Sequence, residues 1–141
     1  MRVKMKAEIY YLTKEMRDNP ATWHSADETI NAITYNKKKC YAKVHVLENV
    51  TDKKDPAELA EIIWALMNGM AGGEDPSGLP NPLGNPEGQQ KIRNLGVGHT
   101  SMSIGDFIVF PEKNGAFGEG IVLVADTLGF KESPLFLESI K

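Results

Sequence analysis

Cysteine is nearly absent from this 141-residue chain: Cys40 stands alone, so no internal disulfide can form and a disulfide-stapled scaffold is excluded. The three histidines, His24, His45 and His99, are far apart in the sequence. With one cysteine and no His-x3-His spacing they make no zinc signature. Nowhere do apolar residues run to the roughly 18 that a membrane-spanning helix needs. The first six residues are basic but lack the apolar run and small-residue cleavage site of a secretory signal. A cytoplasmic protein with no membrane attachment is expected. The Gly-x4-Gly-Lys-Ser/Thr phosphate loop, the nucleophile elbow and the zinc-protease helix are also missing. Gly96-Val97-Gly98 lacks the strand-before, helix-after setting of a dinucleotide site. No catalytic residue, cofactor or metal is therefore assigned.

What is present fits one globular domain spanning 1–141. The hydrophobic content of 41% and charged content of 25% lie in the ordinary range. One core of useful size can be buried at this length, whereas two would each be marginal. The net charge of −3 conceals an asymmetry. Residues 1–54 hold 11 Lys/Arg against 7 Asp/Glu, and the remainder holds 5 against 12. A broad basic face for nucleic acid is disfavoured by this net acidity. The densest basic stretch, Lys37-Lys38-Lys39 followed by Lys43, reads most simply as a solvated lead into a strand.

Periodicity outlines the elements. Met5, Ala7, Ile9 and Tyr11 alternate with Lys6 and Glu8, predicting a half-buried strand over 4–12. Ser25 followed by Glu28 has the form of a capping box and predicts a short helix over 25–35. Ala42, Val44 and Val46 alternate with their neighbours and predict a strand over 41–47. The clearest helix lies at about 56–68. Asp55 suits its N-cap, Pro56 its first position and Glu58 a capping-box partner. Leu59, Ile62, Ile63, Leu66 and Met67 form one apolar stripe, and Gly69 is placed to end the helix. Residues 69–90 contain six Gly and four Pro, predicting a flexible loop. Residues 107–110 and 121–125 are wholly apolar, which predicts strands covered on both faces, with Asn114-Gly115 as a turn signal between them. Gly129-Phe130 is expected to turn the chain and place an aromatic ring at the core's end. Trp64 sits beside the helix stripe, where it either extends the core or anchors a partner.

One segment stands out: His99-Thr100-Ser101-Met102-Ser103-Ile104-Gly105-Asp106-Phe107-Ile108-Val109. Its hydroxyls can bond nearby backbone in a turn or receive a ligand's polar group. The segment resembles the Thr-Ser-Met-Ser-Val-Gly-Asp-Val-Val signature of the small phage- and plasmid-encoded proteins grouped as YodL-like. Ile104 and Phe107 are conservative departures, and the long Gly/Pro loop is a further one. The helix from Ala57 to Asn68 is similar to the family's acidic-start helix, and Asp126-Thr127-Leu128-Gly129-Phe130 to its Asp-x-x-Gly-Phe ending. Ile9-Tyr10-Tyr11 in the first strand also fits. The resemblance spans about residues 5–132. It implies a mobile-element origin with no settled enzymatic activity, and so a binding role.

The expected fold is α+β: a small, curved, mostly antiparallel sheet with one main helix packed on it. The expected function is that of a non-enzymatic accessory protein binding a host macromolecule, foremost a host protein, in takeover or anti-defence. The binding residues would be drawn from His99, Thr100, Ser101, Ser103, Gly105, Asp106 and Trp64. Two alternatives are a nucleic-acid-binding module using the Lys37–Lys43 region, and an enzyme with its site at His99, Ser101, Ser103 and Asp106. A homo-oligomer is compatible with all three.

Overall fold

The computed structural model describes residues 4–14, 27, 30, 41–51, 55–68, 86–97, 102–111 and 120–132. Within them the chain forms β1 (Lys4–Leu12), β2 (Tyr41–Thr51), α1 (Pro56–Met67), α2 (Pro86–Arg93), β3 (Phe107–Phe110), β4 (Ile121–Ala125) and β5 (Phe130–Glu132). The five strands make one sheet in the order β2-β1-β3-β4-β5, with every pairing antiparallel. The α+β architecture expected from the sequence is therefore present, as an open antiparallel sheet with α1 as its main helix and α2 as a second, shorter one.

The order places β1 between β2 and β3, which run parallel to each other. The chain must pass from one side of β1 to the other, and α1 and α2 lie in that crossover. Both helices bury on the same face. Leu59, Ala60, Ile63, Leu66 and Met67 of α1 and Ile92 of α2 join Ala7, Ile9, Tyr11, Ile108, Phe110, Ile121 and Leu123 in one core. The opposite face holds a second core of Tyr10, Leu12, Tyr41, Phe107, Val109, Val122 and Val124, with Ile30 packed against it. Tyr10 stacks on Phe107 at 4.9 Å between ring centroids, and Tyr41 meets both edge-on. Residues alternate between the two cores along β3 and β4, as expected of apolar strands covered on both sides.

The same position corrects the expectation of a half-buried β1. Tyr10 and Leu12 are buried on the second face, because β1 is an interior strand. Only its earlier residues keep the polar alternation, Lys6 exposed and Glu8 half-buried. β2 is longer than the alternation over 41–47 suggests. Its pairing with β1 shifts between Ile9 and Tyr10 and again between Met5 and Ala7, so that Val44 is passed over in the ladder. Each shift resets the phase. Val44, Leu47 and Val50 thus reach the core at intervals of three, while Val46 stays half-buried.

In α1 the stripe is confirmed, with Ile62 and Trp64 only partly buried at its flank. The capping differs from expectation. Asp55 is extended and exposed, and its side chain makes no capping hydrogen bond, since water competes freely for an exposed carboxylate. Its carbonyl accepts the first helical bond, from the Leu59 amide at 3.0 Å. At the other end the Asn68 amide and its Nδ2 both donate to the Trp64 carbonyl, at 3.0 and 2.9 Å; Gly69, expected to end the helix, lies outside the described residues. Residues 86–90, expected within a flexible loop, are helical in α2. Glu87 in the first turn and Lys91 and Arg93 in the last complement its dipole. Residues 69–85 and the Asn114-Gly115 turn lie outside the described residues. In the expected helix over 25–35, Asp27 and Ile30 are helical and the rest lies outside them.

Because Ile63 is fully buried against the sheet, Ile63→Ala is expected to cost about 2–5 kcal/mol. The check is a denaturant titration in which the exposed Glu48→Ala serves as control. A midpoint equal to the control's would mean the stripe is not packed.

Candidate functional site

The signature segment leads out of the crossover and into β3. The Met102 amide donates to the Met67 carbonyl at 3.3 Å, satisfying one of the acceptors left open at the end of α1. Ser103 to Asp106 then forms a turn, closed by the Asp106 amide donating to the Ser103 carbonyl at 3.0 Å. Gly105 occupies the third position with φ +95°, a conformation that a side chain disfavours. Its amide donates to the Ala125 carbonyl at 3.0 Å, and the Ala125 amide donates to the Asp106 carbonyl at 2.8 Å. The turn is thereby laid onto the end of β4.

Asp106 is fully buried. Its Oδ1 accepts the Leu12 amide at 2.9 Å, across 94 residues of sequence. Its Oδ2 accepts the Ser103 amide at 2.8 Å, and the Ser103 hydroxyl lies 3.5 Å away, at the long limit for such a bond. One carboxylate therefore joins the last residue of β1 to the turn before β3. Hydrogen bonds from main-chain amides to a charged acceptor are among the stronger kinds. Sequence reading placed Asp106 in a turn but missed this distant partner; Ser-x-x-Asp spacing signals only the local half of the arrangement.

The other predicted site residues divide. His99, Thr100 and Ser101 lie outside the described residues. Trp64 is half-buried and meets the Phe130 ring edge-on at 6.1 Å, so it seals the margin of the core. That contact also bears out Phe130 as a ring at the core's end, reached through Gly129 at φ +74°. Of the basic stretch, Lys37, Lys38 and Lys39 lie outside the described residues. Lys43 is exposed, pairs with Glu8 at 2.9 Å and sits 5.7 Å from the Tyr10 ring centre. The hydrogen bond to Glu8 holds the Lys43 ammonium above its ordinary pKa, and burial pushes the Tyr10 phenol up. Neither group is poised to exchange a proton near neutrality.

His45 on β2 is a residue that the sequence did not single out. Its Nε2 is buried and has no hydrogen-bond partner among the described residues. Burial, and next the Lys91 ammonium on α2, push its pKa below the ordinary 6.5. Among the described residues no group of three or more His, Cys, Asp or Glu could hold a metal ion. No described helix is long and apolar enough to cross a membrane.

Comparison with protein-family models, curated proteins and solved structures finds no match for the chain.

Two predictions follow from this geometry. Asp106→Asn puts an amide N–H against a main-chain donor, and Gly105→Val forces a branched side chain into positive φ. Each is expected to cost about 1–3 kcal/mol in urea unfolding; a Gly105→Val variant as stable as the parent would show that the turn does not need its glycine. The second concerns His45. Above pH 6.5 the imidazole is neutral in both folded and unfolded chains. As pH falls below that value the unfolded chain takes up a proton that the folded one resists, so stability is lost. Thermal melts from pH 7 to about 5 should show this loss, and His45→Phe should flatten it. A slope unchanged in that variant would place the responsible group elsewhere.

Proposed function

We propose that the chain is a non-enzymatic accessory protein of phage or mobile-element type that acts in the host cytoplasm by binding a host protein, without a cofactor. The observation that carries this reading is the use to which Asp106 is put. A carboxylate that is fully buried and accepts two main-chain amides is a fastener between strands. General acid–base work would require it to face a reacting proton instead. The signature's two described polar side chains, Ser103 and Asp106, lie against each other and the backbone, which speaks against an enzyme built on His99, Ser101, Ser103 and Asp106. The resemblance to the YodL-like proteins rests on the same segment and supports a binding role. The nucleic-acid alternative is weakened by the Lys43–Glu8 pair, since the described part of the basic stretch already has its counter-charge.

The test is a pull-down from bacterial lysate, with and without nuclease, using the parent and Ser103→Ala. The expected result is a host protein retained by both chains after nuclease treatment, with Ser103→Ala melting lower. Nuclease-sensitive recovery would favour the nucleic-acid reading. Loss of capture by Ser103→Ala at unchanged melting temperature would make the signature a contact surface and overturn its role as a fastener.

A further inference from the structure

The end of the sheet at which Asp106 sits also gathers the two exposed large apolar side chains of the described residues. The register fixes which end this is: Tyr10 lies opposite Phe107, and Phe107 opposite Val124. The residues after β1, before β3 and after β4 therefore emerge together. Two residues past β1, the Lys14 amide donates to the Gly96 carbonyl at 3.3 Å, which brings the exit of α2 to this end. Leu95, beside Gly96, is 40% exposed. After β4 comes the turn that carries Leu128, which is 93% exposed. That turn is held in shape. The Asp126 amide donates to the Gly129 carbonyl at 2.9 Å, and Asp126 Oδ1 accepts the Thr127 amide at 2.8 Å. Leu128 is thus displayed on ordered backbone.

The charges around the two leucines have opposite signs. Near Leu95 stand the exposed side chains of Lys14 and Arg93. Near Leu128 stand Asp126 and Glu61; a β-carbon placed on Gly129 would lie 3.8 Å from Glu61 Oε1. Lys131, the cation closest in sequence to that turn, is paired with Asp27. β1 and β4 are two strand spacings apart, about 10 Å. Among the described residues, this end of the molecule therefore carries one exposed leucine beside basic side chains and another beside acidic ones.

A patch of this kind complements itself. Under a two-fold rotation, the basic half of one copy meets the acidic half of the other, and each leucine finds an apolar neighbour. This is the requirement for an isologous dimer, in which residue i contacts j and j contacts i. We infer that the occupant of this sheet end is a second copy of the chain, in a two-fold dimer that pairs the Leu95–Arg93–Lys14 side of each protomer with the Leu128–Glu61–Asp126 side of its partner. The inference is independent of the host-protein reading, which holds for a monomer or a dimer.

Sedimentation velocity of the full chain tests it over roughly 1–300 μM, a range in which a micromolar association registers. The expected result is a concentration-dependent monomer–dimer equilibrium that weakens with added salt. Leu128→Glu should abolish the dimer over that range. Arg93→Glu and Glu61→Lys should each weaken it about tenfold or more, and the double variant Arg93→Glu/Glu61→Lys should restore it, because the swapped charges meet again across the two-fold axis. All three positions are exposed, and circular dichroism of each variant separates a lost contact from a lost fold. A parent chain that stays monomeric throughout overturns the inference. So does a dimer indifferent to Leu128→Glu, or one that the double variant fails to restore.

Discussion

The Asp106 carboxylate is buried where three pieces of chain meet: the last residue of β1, the turn that opens β3, and the end of β4. An unpaired buried carboxylate would be strongly unfavourable. The arrangement therefore demands that the Leu12 and Ser103 amides be in place at once. That demand runs both ways, since the Leu12 amide would otherwise be a buried donor without an acceptor. Gly105 at positive φ makes the geometry attainable, by turning the chain tightly enough for the Ser103 amide and the Asp106 side chain to face each other. Ser103, from the hydroxyl-rich segment, is thus tied to the architecture of the sheet.

The remainder of the fold follows from putting β1 inside the sheet. An interior strand must be apolar on both sides, and Ile9, Tyr10, Tyr11 and Leu12 divide between the two cores accordingly. The chain between β2 and β3 has to cross over β1, which gives α1 its apolar stripe to bury. α2 is anchored more lightly, through Ile92, and Val97 follows it into the same core. The second face depends on three rings, from Tyr10, Tyr41 and Phe107, which come from three adjacent strands and hold them in register from below.

Local pattern made much of this legible. The apolar runs at 107–110 and 121–125 and the stripe from Leu59 to Met67 are set by neighbouring residues, and the structure keeps them. What escaped was set by something other than local pattern. The phase of β2 changes at two register shifts, so that reading Val44 and Val46 as one face failed where Val44 and Leu47 share it. Residues 86–90 looked like loop because a proline and a glycine lie in a stretch rich in both, although Glu87 at one end of the helix and Lys91 and Arg93 at the other suit it. Of the candidate site, the turn at Gly105 was legible as a Gly-Asp pair. The bond from Leu12 was not, because nothing in either segment points 94 residues away. His45 looked like an ordinary strand residue, since its burial and the nearness of Lys91 on α2 arise only in the folded chain.

The position of β1 also has a consequence for how the chain is made. β1 is synthesised before the other described strands and can pair with β2 soon after, but its other neighbour begins only at Phe107. At bacterial or eukaryotic translation rates the wait is about 5–20 s. For that time the inner margin of β1 is an unpaired strand edge next to Tyr10 and Leu12, both destined for the core. Closure of the sheet is therefore a late event, gated by emergence of the Ser103–Asp106 turn. Such delayed long-range pairing is slow and leaves nascent chains open to mispairing.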